Sequence, residues 1–138
     1  MTYHLSFGKI NIINGNIAEI IINKDIEMSI EMVEECEYFF SQHFHDNFAI
    51  LVNKINTFKY TFEAKLTIGM SDKLCAIAVV NYHGSGLEQT DRIMRLRKQD
   101  NLNLKVFSGL ELGWRRKGFL IQRLILPLFG PLFLMVLL

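Results

Sequence analysis

The sequence predicts a mixed α/β domain, and three observations carry that prediction. β-rich runs alternate with segments of helical periodicity along most of the chain. Asn14-Gly15-Asn16 separates two such runs near the start, and Asn-Gly is a strong short hairpin signal because both residues tolerate positive φ. The stretch from Leu74 to Val80 is almost wholly apolar, as expected of a strand covered on both faces. Together they give the order β-β-α-β-α-β-α-β-α, a mixed and mainly parallel sheet with helices packed against it through right-handed crossovers.

The elements follow in order. Residues 7–13 and 17–22 form the opening hairpin. Ser29 offers an N-cap, and Glu31 and Glu34 in the first turn suit the helix dipole. Ile30, Val33, Phe40 and Phe44 fall on one stripe near the helical period, with Met32, Cys36 and Phe39 beside it. A helix of about four turns, ending near residues 43–47, accounts for them; Glu31, Glu34, Glu35 and Glu37 are expected to look outward. Residues 48–52 are a compact apolar run of strand length. A polar stretch, residues 53–57, comes next, and then a weaker helix over 61–70. After the strand from Leu74, Gly84-Ser85-Gly86 breaks the chain before a helix over 87–98, whose apolar side is Leu87, Ile93, Met94 and Leu96. Residues 104–107 are a last short strand. Ser108-Gly-Leu-Glu111 has the S-x-x-E form of a capping box, so a fourth helix is expected to start there.

Length and composition bound the function. The 138 residues suit one domain. Half are hydrophobic, which excludes intrinsic disorder. With 15 Lys and Arg against 14 Asp and Glu, the net charge of +1 gives no electrostatic footprint for nucleic acid. The charge is unevenly spread: Asp25 to Glu37 carries six acids and no base, which reads as a solvated helix face. Cys36 and Cys75 match no metal-ligand spacing and read as small buried hydrophobes. Without a signal peptide or a disulfide pattern, the cytoplasm is the expected compartment.

No catalytic constellation stands out. His43 and His45, with Asp46 adjacent, lie at a helix end, where an i, i+2 pair points in different directions, so no metal is expected. Gly84-Ser85-Gly86 follows a strand and precedes a helix, but the full phosphate-loop patterns are missing, and Ser85 lacks the surroundings of a nucleophile elbow. The phenylalanines cluster around the first helix and third strand, which suits a core better than a base-stacking platform. The residues thus point to a non-enzymatic chain without cofactors.

Three short motifs add a resemblance. The element order resembles the STAS fold, the domain of bacterial anti-sigma-factor antagonists (SpoIIAA-like proteins) and of sulfate-transporter tails, and the motifs Asn53-Lys54-Ile55-Asn56-Thr57, Leu104-Lys105-Val106-Phe107 and Leu110-Glu111-Leu112-Gly113-Trp114 resemble the pattern of its small stand-alone members. More closely, the chain resembles small stand-alone STAS-like proteins of Bacteroidetes, over about residues 3–116. The resemblance implies a STAS-like domain over residues 1–117 that binds a protein or a small ligand without catalysis. In antagonist members a serine at the start of the second helix, in a D-S-S-G-type motif, is phosphorylated by the partner. That motif is absent here; Thr57 is the nearest hydroxyl by position and Thr61 the second. Two function classes follow. One is a regulatory module docking a protein partner through the loop of Asn53, Lys54, Asn56, Thr57 and Thr61 and the adjacent helix. The other is a binder of lipid or a small apolar ligand.

The tail departs from that pattern. Arg115-Arg116-Lys117 is followed by an apolar segment from Gly118 to Leu138, uncharged from Leu124 onward. Fifteen residues fall short of the roughly 20 that a bilayer requires. Extending back to Phe119 takes in Gln122 and Arg123, and Pro127 and Pro131 interrupt a helix. Three readings compete: an anchor at the inner membrane face, packing on its own domain or a second copy, and an altered reading frame.

Overall fold

The computed structural model describes residues 1–82, 85–100 and 104–108. Its strands are β1 (Thr2–Leu5), β2 (Gly8–Asn14), β3 (Ile17–Ile22), β4 (Glu27–Met28), β5 (Phe48–Lys54), β6 (Lys59–Tyr60), β7 (Leu74–Asn81) and β8 (Leu104–Ser108). Its helices are α1 (Ile30–His43), α2 (Phe62–Thr67) and α3 (Ser85–Leu96). The main sheet has six strands in the order β1-β2-β3-β5-β7-β8. β1, β2 and β3 pair antiparallel, and β3, β5, β7 and β8 run parallel. The mixed α/β architecture is therefore as the sequence predicts, while the element order differs from β-β-α-β-α-β-α-β-α in particular places.

β1 is an addition at the sheet edge. Only Tyr3 and Leu5 in it are half-buried and packed on the core, too short an alternation to read as a strand. The β2–β3 hairpin is present, but a bulge between Ile12 and Asn14 moves its two-residue connection to Gly15-Asn16 rather than Asn14-Gly15. At its other end, Gly8 permits close pairing: a Cβ there would collide with the carbonyl oxygen of Ile21. β4 and β6 form a second, two-stranded parallel sheet, which sets the segment before α1 beside the segment before α2. α2 is shorter than residues 61–70, and α3 begins at Ser85 rather than at Leu87.

Alternation along the strands separates two buried faces. Ile20, Ile22, Ile50, Val52, Ile77 and Val79 join one core cluster with α1 and with Ala64 of α2. Ile17, Ala49, Leu51, Ala78 and Val80 point the other way and are buried as deeply. β7 lies between β5 and β8 with its last six residues buried, so the apolar run from Leu74 is an interior strand.

α1 forms where its cap and stripe place it. Ser29 Oγ accepts from Met32 N at 3.3 Å, and Val33, Cys36, Phe39 and Phe40 are buried. Two of its acids do not look outward as expected. Glu35 reaches back to Ser6, accepting from its backbone N at 2.9 Å and from its hydroxyl. Glu37 is half-buried, and burial raises its carboxyl above the usual range. The expected fourth helix after Ser108 and the tail from Gly118 lie outside the described residues.

Candidate functional site

The predicted site residues sit at the carboxyl end of β5, where open α/β sheets generally place ligands. β5 runs two residues beyond the apolar stretch, so Asn53 and Lys54 belong to the strand and not to a loop. They are 9% and 7% exposed. Being adjacent in a strand, they point to opposite faces.

Lys54 turns toward the helices. Its Nζ donates to Thr90 Oγ1 on α3 at 3.2 Å and lies 5.2 Å from the Phe58 ring centroid and 5.9 Å from that of Tyr60. The rings attract the ammonium, but desolvation outweighs them and draws its pKa down to about 8. Asn53 turns to the other face, where its Nδ2 donates to Glu19 Oε2 at 3.0 Å. Asn11 Nδ2 donates to Glu19 Oε1 at 2.8 Å. Glu19 is 1% exposed, and these two amides meet both of its oxygens. Tyr82 belongs to the same group; burial, and then the Glu19 charge, pushes its phenol up.

The remaining residues lie beyond the strand. Asn56 Nδ2 donates to the Ile22 carbonyl at 3.0 Å and ties the loop to β3. The Thr57 carbonyl accepts from Asp25 N at 2.8 Å, and Asp25 takes a left-handed φ of 63°. Thr57 is exposed. Thr61 is the N-cap of α2, its Oγ1 accepting from Ala64 N at 3.1 Å. The set is thus not one polar surface. Asn53, Lys54, Asn56 and Thr61 hold the structure together, and Thr57 alone of the five stands exposed.

Sequence reasoning missed two features. Glu19 has a signal, a lone acid in Ile17-Ala-Glu-Ile-Ile-Ile22, which alternation places on a buried face once that face is known to be covered. The second is on α2, where Phe62 and Leu66 are 60% and 41% exposed, with Met70 at 63% just past the helix end. Phe62 and Leu66, four apart, share one side of the helix.

A cavity of about 50 Å³ opens beside this helix, lined by β3, β5 and α1 and closed by Tyr60, Ile68 and Gly69. His43 is accounted for by packing: its Nδ1 lies 2.9 Å from the Phe39 carbonyl, and its ring stacks on Phe39 at 3.9 Å. Among the described residues, no group of three or more His, Cys, Asp or Glu is placed to hold a metal ion. Among them, too, no helix is long and apolar enough to cross a membrane. No family model, curated protein or solved structure matches the chain.

Proposed function

We propose that the chain is a non-enzymatic, STAS-like binding module that docks a protein partner through the outer side of α2 and the preceding loop with Thr57. The observation that carries this reading is the exposure of Phe62 and Leu66 on one side of α2, with Met70 beyond. Exposed apolar groups gathered on one element mark interaction surfaces. Covering the exposed part of each of these side chains in an interface yields roughly 1–2 kcal/mol. Thr57 is exposed four residues before the α2 N-cap, and phosphate there adds charge to the segment leading into the helix. The resemblance of short motifs in the sequence to those of STAS-like proteins supports the same class of function. The cytoplasm, or the inner face of its membrane, is the compartment this reading assigns.

Cross-linking from Thr57→Cys in the full chain, followed by capture, tests the proposal. Phe62→Asp and Leu66→Asp should each abolish capture without moving the melting temperature. Unchanged capture by both variants removes the α2 surface. Sedimentation over rising concentration identifies the case in which the captured partner is a second copy.

A further inference from the structure

The cavity beside α2 has a chemistry of its own. Its floor is the helix-facing side of β3 and β5, with Ile20, Ile50 and Val52, and its far wall is Val33 and Phe40 of α1. Among the described residues, three polar ones line it: Cys36, Glu37 and Tyr60. Burial pushes the Cys36 thiol up, the Glu37 and Glu35 charges adding to it, and burial likewise raises the Tyr60 phenol. Both therefore stay neutral. Glu37, half-buried at the α1 side, is the one carboxyl among the described residues lining the cavity, and no Lys, Arg or His is among them.

We propose that this cavity is a binding site for a short primary alkylamine, its alkyl tail against β3 and β5 and its ammonium on the Glu37 carboxylate. Charge complementarity selects the head. Glu37 loses water on folding and gains no cation from the described lining residues, so a ligand ammonium supplies a partner. A carboxylate or phosphate head would instead meet a like charge. The acids that flank Glu37 along α1, Glu34 exposed and Glu35 turned to Ser6, add attraction for a cation. Volume selects the tail. About 50 Å³ holds about four water-sized groups, which fits a propyl or butyl chain and excludes a long acyl chain.

The test uses the full chain and n-butylamine, followed by amide chemical shifts. Saturable shifts confined to residues around the cavity are expected. Affinity should rise about fourfold per methylene from ethylamine to butylamine. Glu37→Gln should weaken butylamine about tenfold while leaving n-butanol binding unchanged. Cys36→Leu should fill the cavity and remove both ligands, and Val33→Ile, one methyl larger, does the same duty if Cys36→Leu fails to fold. Absence of saturable shifts at the cavity residues overturns the site. Equal butylamine affinity in Glu37→Gln overturns the amine head.

Discussion

α1 and α2 lie on the same side of the sheet and are capped alike, yet they use their apolar residues in opposite ways. α1 turns Val33, Cys36, Phe39 and Phe40 inward. Phe40 meets Phe48 of β5 at 5.1 Å between centroids, and Phe44 stacks on Phe48 at 4.7 Å. α2 buries Ala64 and leaves Phe62 and Leu66 in water. Beyond Ala64 its anchor is polar: Arg97, 4% exposed, donates to the carbonyls of Lys65 and Ile68 and pairs with Asp100. Apolar side chains thus stay exposed on a helix that hydrogen bonds to its backbone help to hold. Core packing and apolar exposure are divided between neighbours.

The sharpest way to break this contrast is to remove carbon from the α1 side. Phe40→Ala should cost about 3–5 kcal/mol in denaturant unfolding, because the ring is buried among packed aromatics that close over the gap only in part. A loss below about 1 kcal/mol would mean that α1 does not carry the core.

Lys54, under the rings that lead into α2, comes next. Its folded pKa of about 8 lies below the ordinary lysine value of 10.5, so between those pH values the unfolded chain binds more protons. On this group's account, stability rises with pH across that window and stays lower below it, by up to about 3 kcal/mol. Cys36 and Tyr60, raised by burial, act in the opposite sense above about pH 9. The difference between the parent chain and Lys54→Met therefore isolates the lysine. Parallel pH profiles for the two would show that Lys54 titrates normally.

The two caps give a smaller and more direct comparison. Ser29→Ala and Thr61→Ala should each lose about 1 kcal/mol. Their consequences differ in place: α2 has six residues, so hydrogen exchange should quicken along α2 in Thr61→Ala, whereas the 14-residue α1 stays protected in Ser29→Ala. Smallest of all is the effect of Phe62→Ala with Leu66→Ala. Unfolding free energy should stay within about 0.5 kcal/mol, while partner capture falls. A large loss of stability would place these side chains in the core.

What the sequence revealed follows the strength of local signals. The hairpin, the Ser29 cap with its apolar stripe and the interior strand from Leu74 were legible because patterning, capping and burial agree there. β1 and the β4–β6 pair were not. Their pairing comes from distant segments, and two residues such as Glu27-Met28 carry no period. The polar run after the third apolar strand was legible in position but not in orientation. The polar run at Asn53 reads as a loop until pairing with Val80 and Asn81 extends β5 through Lys54. That extension decides that Asn53 meets Glu19 and Lys54 meets Thr90, a pair of partners 34 and 36 residues away. Exposure of Phe62 and Leu66 was equally hidden, since a helical stripe shows which residues share a side and not whether anything covers it.

The close approach at Gly8 has a genetic consequence. Every amino acid other than glycine carries a Cβ, and a Cβ at this position would strike the backbone of β3. Any missense change in that codon, whatever the chemistry of the new side chain, thus inserts the same atom at the same place. In a library covering all substitutions at each position, selected for folding, this column should empty of all but silent changes, hydrophobic and polar replacements vanishing together. Neighbouring columns such as Lys9 should still sort by side-chain type.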